Sequence, residues 1–229
     1  MEHNRKAIVI GATGGIGGAF MAALEADERF GKVVGLSRRS DPPVDLTDED
    51  SLEAAAAALK DDGPFGLIVI ATGVLTPDGG KPEKNLRHLD PARLASVMAI
   101  NAIGPALAVK HFHRLLPREG ASVIAALSAR VGSIGDNGLG GWYGYRASKA
   151  ALNQFLRTAA IEIARKRPEA AVLALHPGTV ETDLSADFTA GRETVRPPEA
   201  AARLLDVIES ATPAMSGGFY DYSGREIPW

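Results

Sequence analysis

Residues 7–20 read AIVIGATGGIGGAF, and the interpretation of this stretch decides the fold. Four apolar residues run straight into Gly11, Gly15 and Gly17, and a helix-forming segment follows. Glycines at these points let a chain turn tightly, admit a phosphate close to the backbone and pack a helix against a strand. A helix opening in such a loop points free N–H groups and its positive dipole end at the loop's contents, which suits a pyrophosphate. The bland alternative is a tight strand-to-helix turn that holds nothing. Its position after a buried strand and before a helix favours dinucleotide binding.

Outward from this loop the same alternation continues. KAIVI (6–10), KVVGLS (32–37), LIVIAT (67–72), ASVIAALS (121–128) and AAVLALH (170–176) are apolar runs of strand length, and a last strand is expected at 217–222. Continuous rather than alternating apolarity means burial on both faces. Between the runs, residues 15–27, 49–60, 91–116, 142–167 and 198–211 have helix-forming composition, with Thr47 or Asp48 placed to cap the second. Strand–helix alternation on this scale predicts βαβ units and a parallel sheet in one domain spanning residues 1–229. Neither a linker nor an internal repeat divides the chain.

The 229 residues are 45% hydrophobic and 23% charged, which suits a globular domain with a substantial core. A net charge of −3 offers no electrostatic footprint for nucleic acid or an anionic membrane. With no cysteine, thiolate catalysis and cysteine-ligated metal are excluded, and a reducing cytoplasm is the expected location. The N-terminal apolar run is too short for a secretory signal, and no window is read as a continuous membrane span. No metal site is expected: His111 and His113 stand two apart on a helical stretch and point to different faces. His176, before Pro177, is read as a satisfied structural histidine near the cofactor.

Cofactor choice rests on the end of the second strand. NAD-preferring folds place a carboxylate about 20 residues beyond the glycines, for the ribose 2′-hydroxyl. Here GLSRRSD puts Ser37, Arg38 and Arg39 at that point. A guanidinium pairs with a 2′-phosphate that a carboxylate would repel, so NADP(H) is expected over NAD(H).

The glycine spacing, G-x-x-x-G-x-G, resembles the loop of the short-chain dehydrogenase/reductase family, although Ile10 stands where that family usually has threonine. DLTD (45–48), INAIGP (100–105), ALSARVGSI (126–134), YRASK (145–149) and HPGTVET (176–182) resemble further family segments in the expected order. The resemblance implies a doubly wound, Rossmann-like sheet of about seven strands in the order 3-2-1-4-5-6-7. It also implies that Thr13, Gly14 and Ile16 join Gly11, Gly15 and Gly17 at the cofactor, and that Asp45 and Leu46 meet the adenine. Ala71, Thr72 and Gly73 would follow the third strand, with Pro177, Gly178, Val180 and Thr182 flanking the nicotinamide.

Tyr145 is the one tyrosine with lysine four residues on; Tyr143 has Ala147 there. Residues i and i+4 share a helix face, so phenol and ammonium approach one site together. A neighbouring Lys149 cation and an oxidised nicotinamide would lower the phenol's pKa from its ordinary 10 towards the matched condition for acid–base work. By the resemblance, Tyr145 is the proton donor, Lys149 also holds the ribose hydroxyls, and Ser128 donates to the substrate oxygen. Asn101 holds a relay water. Pro105 cannot donate back to the carbonyl of residue 101, which frees that group for the water.

Between serine and tyrosine lies ARVGSIGDNGLGGWYG, with six glycines, read as a mobile loop beside the substrate; Trp142 and Tyr143 stand there as an aromatic wall or as helix packing. Leu184, Phe188 and Val195 are expected to line a substrate-covering segment. The ending SGGFYDYSGREIPW resembles that of the Sniffer-type carbonyl reductases and C-factor proteins, implying reduction of a small-molecule ketone or aldehyde. Alternatives are a 3-oxoacyl-thioester reductase, with Arg130, Arg146 and Arg192 as a basic rim, and a cofactor-binding signalling protein of low turnover. Relatives of this family form dimers or tetramers, so a homodimer or homotetramer fits the resemblance.

Overall fold

The computed structural model describes residues 5–182 and 194–229. Strand β1 (Arg5–Ile10) carries the unbroken apolar run, and its alternate side chains enter two different cores. Ala7 and Val9 face the layer that holds Phe20, Leu24, Leu204 and Ile208, while Ile8 and Ile10 face Leu52, Phe112 and Leu156. Burial on both faces is what the composition implied.

The other strands are β2 (Phe30–Leu36), β3 (Leu67–Ile70), β4 (Ser122–Leu127), β5 (Ala170–His176) and β6 (Phe219–Asp221). All pair in parallel, in the order β2-β1-β3-β4-β5-β6. Helices α1 (Gly15–Glu25) and α6 (Pro197–Glu209) cover one face. Helices α2 (Glu49–Ala58), α4 (Gly104–Phe112) and α5 (Tyr143–Ala164) cover the other. Asp48, not Thr47, caps α2, accepting from the Asp50 N–H.

Six strands are described where about seven were expected. Residues 42–46 lie beside the end of β2, with the Val44 N–H bonded to the Ser37 carbonyl at 2.8 Å, yet form no strand. Pro42 and Pro43 remove two consecutive donors, so a regular ladder cannot form there.

The helix expected over 91–116 is broken as well. Helix α3 (Pro91–Met98) passes into a wide turn, Ala99–Ile103, before α4 begins. In the wide turn the Gly104 N–H reaches back five residues to the Ala99 carbonyl. Pro105 explains the break: it has no N–H for the carbonyl of Asn101. An 18-residue window within Pro91–Leu115 has mean hydropathy 1.5, long and apolar enough by composition alone to cross a membrane. Its buried residues, among them Ala102, Ala108, Val109 and Phe112, instead pack in the sheet's own core.

Past β6, the C-terminal segment turns back along the sheet edge. The Ile227 N–H bonds the Phe219 carbonyl and the Trp229 ring stacks on Phe219 at 5.9 Å, so the edge strand is covered.

Candidate active site

The chain leaves β1 to build β2 on one side and returns to build β3 on the other. Crevices form at the carboxyl ends of strands on either side of such a reversal. Here a cleft of about 910 Å³ opens at the ends of β1, β3, β4 and β5.

Its first wall is the glycine loop. Gly14, Gly15 and Ile16 line it, and α1 opens there with no side chain capping its first N–H groups. Gly11 adopts φ +91°, and a Cβ on it would stand 2.8 Å from the Ala71 carbonyl oxygen. A Cβ on Gly17 would lie 2.1 Å from the Gly11 carbonyl oxygen, so helix and loop touch backbone to backbone. Gly11 and Gly17 thus shape the loop from behind. Thr13 is exposed and does not line the cleft.

After β3, Ala71, Thr72 and Gly73 form the adjoining wall, and the Ala71 N–H is tied to the Ile10 carbonyl at 2.8 Å. The Thr72 hydroxyl is buried without a hydrogen-bond partner. Pro177, Gly178, Val180 and Thr182 follow β5 on the opposite side. Val180 pairs with Val195, which brings the C-terminal part of the segment expected to cover the substrate to this wall; Leu184, Phe188 and Arg192 lie outside the described residues.

The polar centre comes from β4 and α5. Tyr145 and Lys149, four apart, are both buried, at 9% and 3% exposure. Lys149 Nζ donates to the Leu127 carbonyl at 2.8 Å and lies 5.9 Å from the centre of the Tyr145 ring. Ser128 follows β4, and its hydroxyl donates to Asn153 Oδ1 at 2.6 Å. All three line the cleft. Asn101 does not: it is fully buried in the wide turn, accepting from the Val74 N–H and donating to the Val74 carbonyl and the Ser148 hydroxyl. A Cβ on Gly73 would lie 3.2 Å from Lys149 Nζ and 3.5 Å from Asn101 Oδ1, so a glycine spaces these two groups.

Burial sets the proton affinities. In the protein alone it pushes the Tyr145 phenol up to about 12 and the Lys149 amine down to about 8; the lowering expected above belongs to the site with an oxidised nicotinamide beside the phenol. Both shifts have one cause, since each charged form loses water. His176 also lines the cleft. Burial, then the nearby Arg130 charge, holds it down at about 4. Its Nδ1 is buried and unpartnered, so it is not the satisfied structural histidine expected.

The adenosine-side residues stand outside this cleft. Arg38 is exposed at the end of β2, and the Ser37 hydroxyl accepts from the Arg39 N–H. Asp45 accepts from the Thr47 N–H and hydroxyl, which, with Arg38's charge, hold its carboxyl below the usual range. Leu46 is buried, and a Cβ on Gly104 would come within 2.6 Å of its Cβ.

Two contributors, Asn153 and Glu83, were missed from sequence, and a third, Trp142, was left between two readings. Asn153 continues the four-residue spacing of Tyr145 and Lys149, a signal that was present. Glu83, buried, accepts from the Gly144 N–H through its carboxylate and from the Trp142 N–H through its carbonyl, an arrangement no local pattern announces. Trp142, half-buried with φ +54°, meets the Tyr145 ring edge-on at 6.2 Å, which decides for the aromatic-wall reading of that residue. Arg130 and Arg146 reach the cleft, but Arg130 is paired with Asp136 and Asp221, and Arg146 is held by the carbonyls of Val131, Gly140 and Gly141.

Comparison with known proteins gives this arrangement a family. Residues 42–193 match the family described as short chain dehydrogenase. The chain is 36% identical over 190 residues to 1-hydroxy-2-glutathionyl-2-methyl-3-butene dehydrogenase of Rhodococcus sp. (strain AD45), covering 82% of this chain and 80% of that one. It is 38% identical over 148 residues to the C-signal protein of Myxococcus xanthus, covering 63% and 83%. Among solved structures, a short-chain dehydrogenase/reductase from Burkholderia multivorans with bound NADP matches with TM-score 0.82 and 27% identity, over 98% and 99% of the two chains. The carbonyl reductase Sniffer of D. melanogaster shares the fold, with TM-score 0.84 and 21% identity over 99% of each. A glycine-floored crevice beside a buried Ser–Tyr–Lys cluster, together with these matches, places the chain in the short-chain dehydrogenase family, as an oxidoreductase acting on a small molecule.

Proposed function

We propose that this protein transfers hydride between NADP(H) and the carbonyl or alcohol carbon of a small molecule, with Tyr145 exchanging the proton. The observation that carries the reading is the shared burial of Tyr145, Lys149 and Ser128 on one wall of a cleft whose opposite wall is bare glycine backbone.

The site fits a dinucleotide. Gly11 and Gly17 in its loop leave no room for a Cβ, α1 begins uncapped at the cleft, and the Thr72 hydroxyl lacks a partner. Gly11 to Gly17 would hold the pyrophosphate, Asp45 and Leu46 the adenine, and Pro177 to Thr182 the nicotinamide. Arg38, exposed and in no ion pair among the described residues, would take the 2′-phosphate. The Burkholderia relative with NADP bound supports this choice. The bound cofactor supplies or takes up the hydride.

In the reductive direction Tyr145 donates its proton to the carbonyl oxygen. Burial raises the phenol to about 12 in the protein alone, so it stands protonated at neutral pH before the reaction. Lys149, at about 8, is mostly charged at pH 7, and its cation stabilises the phenolate left behind. Ser128 stabilises negative charge on the substrate oxygen. Asn101 fixes Val74 and Ser148 around Lys149 and carries the relay water of the expected proton path.

The thioester reading is not favoured, because Arg130 is already compensated by two carboxylates. The test is Tyr145→Phe, followed by NADPH absorbance across aldehydes, ketones, quinones and acetoacetyl thioesters. Turnover is expected to fall by about 10²–10⁴-fold while cofactor affinity holds. Wild-type turnover in the folded variant would overturn the assignment.

A further inference from the structure

We propose that Asn153 is a positioning residue for Ser128, deciding which way the serine's single proton points. The inference rests on the hydride-transfer reading above and adds a residue to it. Asn153 stands one further turn along α5 from Tyr145 and Lys149, on the same face. It is 2% exposed, and its amide lies 2.6 Å from Ser128 Oγ. In the arrangement seen, the amide oxygen takes the serine's proton, and the amide nitrogen is buried with no partner. A serine hydroxyl has one proton, so in this state Ser128 has nothing to donate to a substrate oxygen.

The two ends of an asparagine amide are nearly the same size, and a half-turn about Cβ–Cγ exchanges them. After that turn the nitrogen donates to Ser128 Oγ, and the serine's proton is released towards the cleft that Ser128 lines. The group left bare is then a carbonyl oxygen, a lesser penalty than a bare N–H pair. Asn153 is therefore the donor that keeps Ser128 in its active orientation.

Asn153→Asp tests the donor role, because it preserves size and the accepting oxygen and removes the N–H. Its kcat should fall about 10²-fold, matching Ser128→Ala, with the Kd for NADPH unchanged by fluorescence titration. Asn153→Ala should fall less, since it leaves the serine unheld without trapping its proton. In a Ser128→Ala background both Asn153 substitutions should have no further effect on kcat. Wild-type kcat in Asn153→Asp, or losses that multiply in the double variants, would overturn the proposal. Should the buried carboxylate prevent folding, Asn153→Ala with and without Ser128→Ala carries the same comparison. Tyr145→Phe separates the two levels: if it abolishes turnover while the Asn153 variants behave as wild type, only this inference fails.

Discussion

At the β1 end of the cleft the working surface is backbone, and at the α5 end it is side chain. The glycine loop presents backbone to the cleft, and its tolerances are set by Cβ atoms that are not there, such as the one that would stand 2.1 Å from the Gly11 carbonyl oxygen. The α5 end gathers Tyr145, Lys149, Ser128 and Asn153 out of water and shifts the proton affinities of the first two. One end is built from backbone shape and a helix dipole, the other from buried groups that can exchange protons. They fail differently when altered.

The largest expected effect lies at the backbone end. Gly17→Ala should abolish cofactor binding or folding outright, since its new methyl overlaps a carbonyl rather than a movable side chain. NADPH titration and circular dichroism would show it. A soluble variant binding NADPH normally would erase the distinction between the two ends.

Next, Lys149→Met should change how stability depends on pH. Lys149 titrates at about 8 when folded, against an ordinary value of 10.5. Between those values the unfolded chain holds a proton that the folded protein has released, so this group makes stability rise with pH. Below about 8 its burial penalty is fully present. The variant should therefore be more stable than wild type at pH 7, on the order of 3 kcal/mol at most. Urea unfolding at pH 7 and pH 10 should show the difference shrinking. Tyr145 acts oppositely: its raised value lowers stability as pH climbs from 10 towards 12.

The smallest effect belongs to the exposed rim. Arg38→Ala should reduce the preference for NADPH over NADH, read as a ratio of KM values, by about tenfold while leaving kcat alone. An unchanged ratio would remove Arg38 from recognition of the phosphate.

Much of this was legible before the coordinates. The unbroken apolar strands, the glycine loop and the Tyr145–Lys149 interval are local patterns, and local patterns survive in a linear string. What was not legible depends on contacts far apart in the chain or on competition between terms. Glu83 meets the start of α5 from 61 residues away. Burial, which raises the phenol's pKa in the protein alone, was not weighed beside the charges of Lys149 and the nicotinamide. The Pro42-Pro43 pair was visible, but its effect on strand pairing was overlooked. Pro105 was understood as freeing a carbonyl, whereas the structure rearranges a whole turn around it. Asn153 was missed although its spacing continues the motif, because asparagine on a helix suggests packing until a partner is seen.

The wide turn at Ala99–Ile103 also governs helix phase. Each residue advances an α-helix by about 100°, so the extra residue accommodated here dials α3 round relative to α4. That rotation lets Val97 and Ala102 both face inward while Asn101 reaches Val74. Removing a single residue from this turn would swing the preceding rod by about a quarter-circle and carry the asparagine off its anchor.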